Sequence, residues 1–146
     1  MRLKQIEIFN NDINNFNKFK TLDWFSCCID DIPIFVLFYD MNKRYYIVPR
    51  DGSYYLFRNI NNSIEWIDED SLVKLVRCAE DFAIKKGRSW FFGNGKWKRD
   101  CASEKQVSYL FGFYPNIDRK ISKWSCQILF EKLILERFME DIDSYL

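Results

Sequence analysis

Between Trp24 and Ile67 the chain is dense in Ile, Val, Phe and Tyr and is interrupted at regular intervals by short polar clusters. A chain patterned in this way is committed to β structure there, because β-branched and aromatic runs bounded by Asp, Asn, Gly and Ser read as strands joined by turns. The expected strands are Trp24–Ile29, Ile32–Tyr39, Tyr45–Pro49, Tyr54–Arg58 and Ser63–Ile67. Asp30-Asp31, Asp40-Met41-Asn42-Lys43, Arg50-Asp51-Gly52-Ser53 and Asn59 to Asn62 are the turns between them. Asp51-Gly52 is the clearest hairpin signal, since glycine accepts the positive φ that a tight hairpin turn requires. Pro33 and Pro49 fall at strand ends, where a missing N–H costs least. An antiparallel meander is expected.

A helix should back this sheet. Over Asp68–Lys86, the residues Leu72, Leu75, Val76, Ala79, Phe82 and Ala83 form one apolar face, with Asp68 or Ser71 as the cap. Glu69 and Asp70 suit the positive end of that helix dipole, while Lys85, Lys86 and then Gly87 suit its C-terminus. Ahead of the sheet, residues 2–10 alternate imperfectly as a short strand would, and Asn11–Lys20 carries Ile13, Phe16 and Phe19 at the spacing of a short amphipathic helix. Leu22, Trp24 and Phe25 should dock that helix on the next strand.

Trp97 to Phe130 reads as two helices joined by a loop, delivered by a polar and aromatic linker over Arg88–Asp100. Ser103 and Gln106 have capping-box spacing, so a helix is expected over Glu104–Phe111. Val107, Leu110 and Phe111 would be its apolar face, and Gly112 would end it in the left-handed conformation. Pro115 pushes Tyr114 out of the α region. Ser122 can cap a second helix reaching about Glu140, with Ile128, Leu129, Leu133, Leu135 and Phe138 as core candidates and Lys132, Glu136 and Glu140 on a solvent stripe. The acidic tail beyond should fray. The expected fold is a single α+β domain over residues 1–146, a small antiparallel β-meander packed on an amphipathic helix and followed by a C-terminal helix-loop-helix unit. Its sheet-rich half is 1–67 and its helical half 68–146, with the helix-loop-helix at 103–140.

Composition narrows the chemistry. An apolar fraction of 48%, with 14 Phe, 8 Tyr and 5 Trp, is ample for a packed core without staples. No window approaches the ~18 uncharged apolar residues of a membrane span, and Glu7 interrupts the stretch where a signal peptide would be apolar. An intracellular, reducing compartment is therefore expected, with no membrane partner. Five cysteines, Cys27, Cys28, Cys78, Cys101 and Cys126, are an odd number without a C-x-x-C pair, and histidine is absent. Disulfide frameworks and zinc sites are disfavoured, and the thiols are expected to pack as small buried hydrophobes. Without histidine the usual general base is missing, together with every Ser-His-Asp and Cys-His arrangement. No catalytic residue, cofactor or metal ligand is expected.

Gly93-Asn94-Gly95-Lys96 lacks the G-x-x-x-x-G-K-[ST] spacing and reads as a turn. Asp68, Glu69 and Asp70, with Glu65 nearby, read as helix-terminal acids rather than metal ligands, and Cys27-Cys28 as strand packing. The charge distribution is more informative. Within residues 85–123 ten cations accompany only Asp100, Glu104 and Asp118, while Glu80, Asp81 and the acids before them precede this run and Glu131, Glu136, Glu140, Asp141 and Asp143 follow it. A chain of net charge +1 can therefore still own a positive face. Cations interleaved with aromatic residues suit a nucleic-acid strand, whose phosphates need charge and whose bases need a stacking surface. The same run also suits a solvated surface or a protein contact.

Trp97-Lys98-Arg99-Asp100-Cys101-Ala102-Ser103-Glu104-Lys105-Gln106 resembles a segment near the C-terminus of some superfamily 2 DNA helicases, phage-type and mitochondrial branch-migration members among them. That segment reads W-R-x-x-P-A-[ST]-x-x-Q-x-x-x-L, then a loop, then T-K-G-x-A-S-x-L-I. Trp97, Ala102, Ser103, Gln106 and Leu110 match its first half, and Ser122-Lys123-x-Ser125-x-x-Ile128 matches its second half more loosely. Cys101 replaces the proline, Trp124 stands where glycine is usual, and Lys98-Arg99 shifts the basic pair. The order of β-rich meander and then helix is similar as well. Neither a Walker A loop nor a D-E-x-[DH] box is present in these 146 residues.

The resemblance implies a non-catalytic DNA-binding accessory domain of a helicase-like protein. Its partners would be DNA, single-stranded or branched, and a helicase motor or host protein. Lys98, Arg99, Lys105, Arg119, Lys120 and Lys123 would neutralise phosphates, Trp97 would stack or anchor the linker, and Gln106 would cap. The alternative is a protein-interaction module, such as a small viral or mobile-element protein docking through an aromatic surface at Trp90, Phe91, Trp97 and Trp124.

Overall fold

A computed structural model describes residues 12, 14–40, 42–86 and 99–146. Five strands, β1 (Phe25–Ile29), β2 (Ile32–Asp40), β3 (Lys43–Arg50), β4 (Ser53–Ile60) and β5 (Ser63–Asp70), form one antiparallel sheet in chain order. Helix α1, over 14–19, precedes the sheet. After it come α2 (Leu72–Lys86), α3 (Glu104–Phe111) and α4 (Lys123–Tyr145). The strand expected at 2–10 and nearly all of the linker expected before Asp100 lie outside the described residues.

The polar pairs dictate the hairpins. Asp30 and Asp31 have φ of 51° and 64°, Asp51 and Gly52 of 52° and 80°, and Asn61 and Asn62 of 50° and 65°. Two consecutive left-handed residues match the right-handed twist of the flanking strands, and Asp and Asn reach that conformation more readily than other side chains. The turns fall where the sequence predicts them, and the strands between them extend further than expected. β5 continues through Asp70, pairing Asp68 with Leu56 and Asp70 with Tyr54. Asp68, Glu69 and Asp70 therefore lie on an exposed edge strand rather than in the first turn of α2, which corrects the expected helix start. Charged side chains on an edge discourage pairing with another chain. Ser71 is the α2 cap, its Oγ accepting the Lys74 N–H at 3.4 Å.

Helices cover both faces of the sheet. Phe35, Leu37 and Tyr39 of β2, with Tyr45, Ile47 and Leu56, meet Leu72, Leu75, Val76 and Ala79 of α2 and Phe16 of α1. The alternate residues Cys27, Ile34, Val36, Tyr46, Val48 and Phe57 meet Leu135 and Ile142 of α4. With both faces buried, the middles of β2 and β3 read as near-continuous apolar runs. α4 thereby becomes a sheet-covering helix, and it runs to Tyr145 instead of fraying after Glu140. Ile142 is fully buried, Arg50 pairs with Asp143 at 2.6 Å, and the Tyr145 ring lies 5.8 Å from Phe57. Burying one such aliphatic side chain stabilises by roughly 1.5–3 kcal/mol, enough to hold the last turns. Of the expected α4 core residues, Leu135 is fully buried while Ile128, Leu129, Leu133 and Phe138 are half-buried, and Cys126, Glu131 and Ile142 fill the remaining interior.

Two acids counted with the surface charges are interior. Glu80 in α2 accepts the backbone N–H groups of Thr21 and Leu22 at 2.9 and 2.7 Å, the Thr21 hydroxyl at 3.0 Å and the Trp24 indole N–H at 3.0 Å. Glu131 in α4 is fully buried against Arg44 of β3, and the Gln127 amide donates to it at 2.7 Å. Burial raises the Glu131 carboxyl above its ordinary range, and the hydrogen bond and charge of Arg44 offset only part of that rise. Cys27 and Cys126 are buried, whereas Cys28, Cys78 and Cys101 are exposed, contrary to the expectation that all pack inside, and alternation along β1 is what separates Cys27 from Cys28.

Candidate nucleic-acid interface

α3 and the turn after it form a loop clasped at its base. Cys101 and Ser122 form an antiparallel bridge, with the Ala102 N–H donating to the Ile121 carbonyl at 2.9 Å and the Lys123 N–H to the Asp100 carbonyl at 2.7 Å. Both ends of the loop carry helix caps. The Gln106 N–H donates to Ser103 Oγ at 3.2 Å while the Ser103 N–H donates to Gln106 Oε1 at 2.9 Å, completing the capping box. Ser122 Oγ accepts the Ser125 N–H at 3.1 Å and starts α4. The end of α3 is made differently from the expectation, for Gly112 is right-handed, with φ −65° and ψ −24°. The Leu110 carbonyl accepts the N–H groups of both Phe113 and Tyr114, at 2.9 and 2.8 Å, so the helix closes by tightening and needs no left-handed residue.

The clasp gathers five of the seven expected site residues. Arg99 stands at the entry of the first clasp segment, Arg119 and Lys120 lead into the second, Lys123 opens α4, and Lys105 lies in the first turn of α3. Arg99, Lys105, Arg119 and Lys120 are exposed and Lys123 is half-buried. None of the five forms an ion pair among the described residues. The Asp118 carboxylate, beside Arg119 in sequence, accepts the Lys120 backbone N–H at 2.9 Å and closes the turn. Trp97 and Lys98, like Lys96, Trp90 and Phe91, lie outside the described residues. Trp124 packs edge-on against Phe25 of β1 at 5.5 Å, half-buried, and serves to seat α4 on the sheet.

The aromatic surface lies elsewhere than expected. Val107 and Leu110 are buried, but Phe111 is 49% exposed, and Tyr109 and Phe113 are 47% and 51% exposed. Arg137, outside the expected basic set, donates from Nη2 to the Tyr109 hydroxyl at 3.4 Å. The four-residue spacing of Lys105, Tyr109 and Phe113 is the sequence signal that points to this face.

A groove of about 450 Å³ at the far end of the sheet is acidic, bordered by Asp12, Glu69 and Asp70, which repel phosphate. Among the described residues no group of three or more His, Cys, Asp and Glu is placed to hold a metal ion, and no helix is long and apolar enough to cross a membrane. In comparison with known proteins, no family model, no curated protein and no solved structure matches the chain.

Proposed function

We propose that the chain binds DNA through the clasp that joins α3 to α4, without chemistry of its own. The observation that supports this is the set of exposed cations, Arg99, Lys105, Arg119 and Lys120, that form no ion pair among the described residues. Charge left uncompensated on a rigid element is available to phosphate, and each contact releases condensed counterions. The finer reading, an accessory module acting beside a helicase-type motor, draws on the likeness across residues 97–128, where Trp97 and Lys98 extend the same basic run. A second reading, docking on a protein, draws on Phe111, which is 49% exposed.

Replacing Arg119→Glu together with Lys120→Glu puts two anions where two cations stand. Binding of a fluorescent DNA oligonucleotide at low salt is expected to weaken by about tenfold or more. Thermal unfolding should not change, because both side chains are exposed. Unchanged affinity in a folded variant removes the clasp from the interface.

A further inference from the structure

Lys105, Tyr109 and Phe113 recur at four-residue intervals and so share one stripe of α3 and its closing turn. The rings of Tyr109 and Phe113 lie 5.6 Å apart, and both residues are about half exposed. Tyr109 is held from α4, where Phe130 stacks on its ring at 5.2 Å with an interplanar angle of 23° and Arg137 reaches its hydroxyl. Two half-exposed rings, one of them fixed by stacking and a hydrogen bond, thus lie beside an arginine and on the same stripe as a lysine.

We infer that this stripe is a stacking platform for the bases of single-stranded nucleic acid, with Lys105 and Arg137 taking the flanking phosphates. The inference rests on the nucleic-acid reading of the neighbouring clasp and adds the form of the ligand. Cations set beside exposed rings match the phosphates and bases that one strand offers together. An apolar protein side chain would use the rings but has no call for the cations beside them. A duplex offers phosphates, but its base faces are already stacked on one another, so only a single strand can occupy cations and rings together. Phe113 contributes exposed ring area, while Tyr109 sets the orientation of the platform through Phe130.

Fluorescence anisotropy of the full chain with a labelled oligothymidylate, and with a duplex of equal length, tests this. The single strand should bind more tightly than the duplex. Phe113→Ala should weaken single-strand binding by about fivefold or more, as loss of one stacked base requires, and leave duplex binding and the salt dependence unchanged. Ser108→Ala, an exposed α3 position outside the stripe, should retain single-strand affinity, and a circular dichroism melt of each variant checks that it is folded. Equal binding of strand and duplex, or wild-type affinity in folded Phe113→Ala, overturns the platform, leaves DNA binding by the clasp standing and frees the rings for a protein partner. Absence of binding to either probe at low salt overturns both.

Discussion

The Glu80 carboxylate accepts the Trp24 indole N–H at 3.0 Å, tying the segment that precedes β1 to the middle of α2. The same carboxylate holds Thr21 and Leu22, so one side chain orders the whole passage from α1 into the sheet. Glu80→Ala leaves these donors without a partner and should cost about 3 kcal/mol, since an unsatisfied buried donor carries its full desolvation penalty. Urea unfolding measures this. A loss below about 0.5 kcal/mol, as at an ordinary surface site, would contradict the role.

Glu131 makes stability depend on pH. Its carboxyl is raised by burial, with Arg44 offsetting only part, so the folded chain holds that proton more tightly than the unfolded one. The resulting contribution is complete below the unfolded value of about 4.3 and is lost as pH rises through the folded value. Glu131→Gln removes this dependence. The stability of the wild type relative to Glu131→Gln should therefore fall as pH rises from about 4 toward 7, which denaturant melts at several pH values can follow. A difference that grows with pH would mean that pairing with Arg44 outweighs burial.

Gly112→Ala should be neutral or stabilising by about 0.5 kcal/mol. The backbone there is right-handed, and an added Cβ would meet the Tyr109 carbonyl oxygen at an ordinary 3.6 Å. A loss of about 1 kcal/mol or more, the cost of forcing alanine into a left-handed cap, would restore the conformation expected from sequence.

Native-state alkylation should modify Cys28, Cys78 and Cys101 and spare Cys27 and Cys126 until the chain unfolds. Burial pushes the Cys27 thiol well above its usual value, and the nearby Glu131 carboxylate adds to the shift, so it holds almost no thiolate at neutral pH. Mass spectrometry of the folded protein reads the pattern. Early labelling of Cys27 would show that α4 lifts from the sheet.

Much of the fold was legible because its signals are local. Asp30-Asp31, Asp51-Gly52 and Asn61-Asn62 mark their hairpins by residue type alone, and Ser103 with Gln106 marks α3 to the residue. What escaped depends on partners distant in sequence. Nothing near Glu80 or Glu131 announces that Trp24 or Arg44 will meet it, 56 and 87 residues away. The tail from Asp141 looks solvated until Ile142 finds the second face of the sheet. At the candidate interface the cations were visible in the sequence, whereas Tyr109 and Arg137 acquire meaning only once α3 lies on α4.

The most direct test of DNA binding by the clasp is the salt dependence of affinity for a short single-stranded oligonucleotide. If Arg99, Lys105, Arg119, Lys120 and Lys123 each neutralise one phosphate, the logarithm of the association constant should fall linearly with the logarithm of salt concentration, with a slope of about −3.5. Binding that is independent of salt, or absent at low salt, would contradict it.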